Sequence, residues 1–171
     1  MTNIIYYDYV VEPVGSFLVA VSQEGLMYLG LLETDLSHLQ KSLGSRNHVV
    51  TFLQKPEVTA PYSRELVEYF QGKRRKFEQP LDLSWFGTDF QRAVWQTVVA
   101  VPYGEISSYS ALAANIQRPL ANQAVGTAVG KNPIPIVIPC HRILRKDGSI
   151  GGFSGGLALK RYLLKIEGLD Y

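Results

Sequence analysis

SYSALAANIQRPLANQAVGTAVG, residues 108–130, is the stretch on which the fold of the second half turns. Ser108 supplies capping chemistry for a short helix over 108–115. Pro119 suits the first turn of a second helix over 120–129, which Gly130 can close. Two short helices joined by about four residues make a helix-turn-helix, although such pairs also serve as plain core packing. The second helix is rich in small residues: Ala121, Ala124, Gly126, Thr127 and Ala128. Gly126 inside a helix costs about 1 kcal/mol relative to alanine. A small face at that cost points to close approach by something bulky, either another helix or a DNA backbone.

Just upstream, Thr88 and Gln91 have the spacing of a capping box. The helix that follows carries Phe90, Val94, Trp95 and Val98 as an apolar stripe and ends near VPYG (101–104). At the far end, GGLALKRYLLKIEG (155–168) reads as a helix stopped by Gly168. Lys160, Arg161 and Lys165 suit the negative end of its dipole, and Glu167 does not. Either Glu167 is solvated, or it holds a histidine in the tautomer that acts as a base.

The first half is less marked. FLVAV (17–21) and LMYLGLL (26–32), joined by SQEG, read as a hairpin. DLSHLQKSLG (35–44) reads as a short helix, HVVTFL (48–53) as an extended piece and PYSRELVEYFQG (61–72) as a helix. KRRK (73–76) reads as a solvated turn. Composition shifts near LSWFG (83–87), which divides the chain into parts 1–86 and 87–171.

With 171 residues, 46% hydrophobic and 19% charged, the chain has the balance of an ordinary globular protein. The first twenty residues are neither a signal peptide nor a membrane span. A cytoplasmic, reducing setting is expected from a single cysteine and no export signal. The net charge of +2 is unevenly shared: residues 1–86 hold 8 Lys/Arg against 10 Asp/Glu, and residues 87–171 hold 9 against 5. A basic second half is compatible with a polyanionic partner and does not by itself require one.

The one cysteine, Cys140, lies in NPIPIVIPCHRIL (132–144). Pro133 and Pro135 make the start of this stretch irregular, IVI reads as a short buried strand, and Pro139 fixes the backbone before Cys140. Cys140 is either a buried, inert thiol or a nucleophile. His141 and Arg142 are adjacent, but neighbours in an extended chain point to opposite faces, so a water bridge from Cys140 to His141 is the better geometry. One cysteine with His38, His48 and His141 lacks zinc-ligand spacing, so no metal and no cofactor is expected.

These motifs together resemble the O6-alkylguanine-DNA alkyltransferase family, the methylated-DNA–protein-cysteine methyltransferases. PCHR, FQRAVWQTVVAVPYGEISSYSALA, the AVG of the small-faced helix and GGFSGGLALKRYLLKIEG fall in the family's order, over about residues 87–171. The resemblance implies an α+β fold: a small mixed α/β N-terminal domain in a supporting role, and a mostly helical domain with a helix-turn-helix and short strands. It implies a monomer that repairs double-stranded DNA carrying O6-alkylguanine by one irreversible transfer, with the base flipped into a pocket.

By the same resemblance Cys140 attacks the alkyl carbon, His141 draws the thiol proton through a water and Glu167 orients His141. Asn132 supports the turn carrying Cys140, and Tyr109 donates toward the departing guanine. Gln123, Ala124, Gly126, Arg142, Phe153 and Ser154 fall to DNA or base contacts. Two departures stand out. Gln123 occupies a position that is usually arginine, and loses its charge and stacking. Phe153 occupies a site that is tyrosine in some relatives. The zinc of some members is not expected, since the first half has no cysteine. A lesion binder of the same fold, a cysteine hydrolase and a helix-turn-helix regulator with an inert cysteine are the competing readings.

Overall fold

The structure, a computed structural model, describes residues 3–32, 34–44 and 49–171. The chain divides into two compact units, Met1–Trp85 and Phe86–Tyr171. No helix among the described residues is long and apolar enough to cross a membrane.

The first unit is a four-stranded sheet with two helices. Its strands are β1 (Asn3–Glu12), β2 (Gly15–Val21), β3 (Leu26–Gly30) and β4 (Val50–Gln54), in the order β3-β2-β1-β4. β1–β2 and β2–β3 are antiparallel, whereas β4 lies parallel to β1. The expected hairpin is β2–β3. β1, which sequence reading passed over, is the strand between β2 and β4, built from the β-prone run IIYYDYVV. The extended piece expected from residue 48 begins as a strand at Val50, and His48 lies outside the described residues.

Helix α1 spans Leu36–Gly44, and α2 spans Pro56–Phe70. α2 starts earlier than the expected 61: Pro56 opens it, where a missing N–H is no loss, and Pro61 lies inside. The KRRK turn is not simply solvated. Arg74 Nε donates to Glu68 at 2.7 Å, and its guanidinium also pairs with Glu65 at 3.4 Å.

In the second unit, α3 (Asp89–Val99) begins with the expected capping box of Thr88 and Gln91. α4 (Tyr109–Asn115) is capped by Ser108, and α5 spans Asn122–Gly130. Pro119 is therefore not in the first turn of α5. It sits in the inter-helix turn, and α5 starts three residues later without a side-chain cap. Trp95 Nε1 donates to Ala128 O at 2.8 Å, fixing α3 against α5. That packing leaves no room at Gly87: with φ at +79°, a Cβ there would fall 2.5 Å from the Trp95 ring.

β5 (Ser107–Ser108) and β6 (Ile143–Leu144) form a short parallel pair. The pairing brings the start of α4 beside the segment that follows Cys140. α6 (Leu157–Ile166) closes the unit and buries Leu159, Leu163 and Leu164. It ends in a Schellman motif: Gly168 N donates to Lys165 O at 3.0 Å and Leu169 N to Leu164 O at 2.9 Å, with Gly168 at φ +83°.

Candidate active site

Residues 132–142 are irregular, and IVI does not form the expected strand. The chain makes a tight turn in which Ile138 N donates to Ile134 O at 2.8 Å and Ile136, fully buried, is held at φ +75°. A β-branched residue rarely adopts that conformation, and its surroundings must impose it. Asn132 supplies the clamp. Its amide nitrogen donates to Ile138 O at 2.8 Å, while its oxygen accepts from Ile134 N at 2.9 Å. Pro139 leads into a single 3-10 turn, Cys140–Arg142.

The turn sends three neighbouring side chains to three places. Cys140 faces a pocket of about 210 Å³ whose lining includes Tyr109, Gly126, Val129, Gly130, Gly152, Phe153 and Ser154. His141 is buried, and its Nε2 shares a short hydrogen bond with Glu167 Oε2. Arg142 is buried too. Its Nε donates to Glu167 Oε1 at 2.8 Å, its Nη1 to Val101 O at 2.6 Å, and its guanidinium lies over the Tyr103 ring.

Glu167 is therefore not a solvated carboxylate. The Schellman turn directs it inward, where it meets His141, Arg142 and Gly104 N, the last at 3.0 Å. Burial pushes its carboxyl up, but the His141 hydrogen bond and charge, the Gly104 amide and Arg142 together hold it at about 2. Burial lowers the His141 pKa, against the pull of Glu167, which favours the neutral ring. Burial pushes the Cys140 thiol up to about 11, with Asn132 and the Lys160 charge working the other way. At rest the sulfur is a protonated thiol. It needs a base or a favourable charge to become a nucleophile.

Of the residues singled out from sequence, Tyr109, Gly126, Cys140, Phe153 and Ser154 meet around one pocket. Asn132, His141 and Glu167 stand behind the cysteine. Gln123 and Ala124 are exposed on α5, outside the pocket lining. Arg142, expected at DNA contacts, is buried here and paired with Glu167. Sequence reading missed what VPYG does. Val101 O, Gly104 N and Tyr103, whose hydroxyl donates to Ile166 O at 3.0 Å, grip Arg142, Glu167 and the end of α6. It also missed Lys160, which is fully buried. The only signal was a charge at a helix position that the neighbouring leucines mark as inward-facing.

A thiol lining a pocket, with a histidine–carboxylate pair behind it, has the parts of a protein that does chemistry with a cysteine nucleophile. Models of the 6-O-methylguanine DNA methyltransferase family match both units: its DNA binding domain over residues 89–169 and its ribonuclease-like domain over residues 5–83. The chain belongs to that family. It is 36% identical to the methylated-DNA–protein-cysteine methyltransferase of Methanosarcina barkeri, covering 95% of this chain and 97% of that one. It is 39% identical to the Haemophilus influenzae protein of the same name, covering 98% and 88%. Among solved structures, Mycobacterium tuberculosis OGT in complex with DNA superposes with a TM-score of 0.80 at 36% identity, covering 95% of this chain and 92% of that chain.

Proposed function

We propose that Cys140 is the acceptor in this chain's activity, DNA repair by transfer of an alkyl group to a protein cysteine, and that O6-alkylguanine in double-stranded DNA is the donor. The observation that carries this reading is the single thiol facing a pocket with Tyr109 and Ser154 on its walls and the His141–Glu167 pair behind it.

Nε2 of His141 is committed to Glu167, so the thiol proton passes by way of water to Nδ1. The thiolate then attacks the alkyl carbon: an S–C bond forms, the C–O6 bond breaks and guanine leaves with the electron pair. Tyr109 gives that anion a proton and recovers one from solvent. The thioether has no hydrolytic exit, so each chain acts once. Asn132 holds the strained turn that aims the sulfur. Ala124 and Gly126 let α5 approach the DNA backbone, with Gln123 at the gap left by the flipped base. The first unit supports, the protein works as a monomer in the cytoplasm, and no metal or cofactor enters. A lesion binder would need none of the proton machinery behind Cys140.

The test is intact-protein mass after mixing with a duplex carrying a single O6-methylguanine. One added methyl per chain, mapped to Cys140 and lost in Cys140→Ser, is the expected result. Methylation elsewhere, or repeated turnover, would overturn the mechanism.

A further inference from the structure

A second cation, besides Arg142, is buried in this unit. Lys160, on α6, is 0% exposed. Its ammonium donates to three carbonyls: Ile143 O at 2.7 Å, Ile150 O at 2.5 Å and Gly152 O at 3.1 Å. Among the described residues no carboxylate pairs with it. A buried cation held only by carbonyl dipoles is expensive, and an apolar side chain of similar volume is often as stable or more so. Its three partners show what the charge does. Ile143 opens β6, directly after the turn carrying Cys140, whereas Ile150 and Gly152 belong to the segment that supplies Gly152, Phe153 and Ser154 to the pocket. One ammonium thus ties α6, the cysteine turn and the pocket wall together.

We infer that Lys160 is a positioning residue of the transfer reaction: it fastens the 150–154 wall of the pocket to β6 and holds a positive charge beside the segment that follows Cys140. This rests on Cys140 being the acceptor. The charged and titratable groups around the ammonium agree. Burial depresses the Lys160 pKa to about 8; a Cys140 thiolate pulls it back up and the Arg145 charge pushes it further down. Reciprocally, Lys160 lowers the thiol pKa of Cys140 and helps keep His141 neutral.

The experiment compares wild type, Lys160→Met and Lys160→Arg for carbamidomethylation of Cys140 by iodoacetamide between pH 6 and 10. In that reaction the S–C bond forms and iodide leaves, whatever the natural substrate. Loss of the charge should slow the reaction at pH 7.5 about tenfold, the effect of a one-unit rise in thiol pKa on the thiolate fraction. Lys160→Arg should recover part of the rate. A folded Lys160→Met protein that reacts at pH 7.5 within twofold of the wild-type rate would overturn the inference.

Should Lys160→Met fail to fold, Lys160→Arg decides: a planar guanidinium cannot reproduce the ammonium's three carbonyl bonds, so its rate at pH 7.5 should fall below wild type, and a wild-type rate in folded Lys160→Arg would refute the inference. Normal carbamidomethylation of wild type without methyl uptake from the lesion duplex would sink the transfer reading, whereas methyl uptake by wild type with an unchanged rate in Lys160→Met would sink this inference alone.

Discussion

Replacing Glu167 by glutamine changes one oxygen to an amide nitrogen in the most connected side chain of the site. The oxygen that accepts from Gly104 N and Arg142 Nε, at 3.0 and 2.8 Å, can remain. The atom facing His141 Nε2 becomes a donor, so that nitrogen must accept and the ring's single proton moves to Nδ1. A ring protonated at Nδ1 cannot take the thiol proton. In a serine protease triad the equivalent carboxylate-to-amide change costs about 10⁴ in rate through the same tautomer error. A thiol is intrinsically the better nucleophile, so a loss of about 10²- to 10⁴-fold is expected here. Stability falls as well. Breaking a buried ion pair costs roughly 3–5 kcal/mol, and the hydrogen bond retained by Arg142 reduces this to about 2–3 kcal/mol. For a chain of this size that is roughly 5–10 °C in Tm. Rapid-quench single-turnover transfer from an O6-methylguanine duplex reads the first effect, and circular dichroism melting the second. If Glu167→Gln melts lower but transfers within threefold of the wild-type rate, Glu167 serves only to anchor Arg142, and the tautomer argument is refuted.

Three other outcomes follow from the same geometry. Gly87→Ala must place a Cβ 2.5 Å from the Trp95 ring at a left-handed backbone angle, so urea unfolding should show a loss above about 2 kcal/mol. Gln123→Arg restores a cation on the exposed side of α5. Fluorescence anisotropy should show tighter DNA binding, with the slope of log K against log salt steeper by about one; an unchanged slope would place Gln123 away from DNA. Glu167 is depressed to about 2 from an ordinary value of 4.5, and Asp82, in the first unit, is lowered in the same direction. Depressed carboxylates contribute stability above about pH 4.5 that is lost as pH falls toward 2, so Tm should drop steeply across that window. Glu167→Gln should flatten the drop, and a curve unchanged by that substitution would contradict the assignment.

The helix boundaries that carry strong local chemistry were legible before any coordinates. The Thr88–Gln91 capping box, the Ser108 cap and the Gly168 stop each depend on bonds made within a few residues, and all three are present. Pro119 misled because proline at a first helical turn and proline in an inter-helix turn satisfy the same local rule. IVI misled because β-branched residues fit a strand and also fill a core, and the Asn132 clamp settles the choice from outside the triplet.

What the sequence by itself determined was the set of reactive parts: one thiol, its proline–histidine frame, a helix pair with a small-residue face and an ill-placed glutamate. Covalent order alone put Cys140, His141 and Arg142 side by side. Which way each points was decided only in three dimensions. The 3-10 turn sends sulfur to the pocket, imidazole to Glu167 and guanidinium to Val101 and Glu167, across separations of 25 to 41 residues. The role of Lys160 was likewise invisible, since its three carbonyl partners come from irregular backbone and a two-residue strand, where no side-chain pattern marks an acceptor. Local bonds write themselves into neighbouring residues. A buried charge is specified by whatever the fold happens to bring around it, and that is a property of the packed chain.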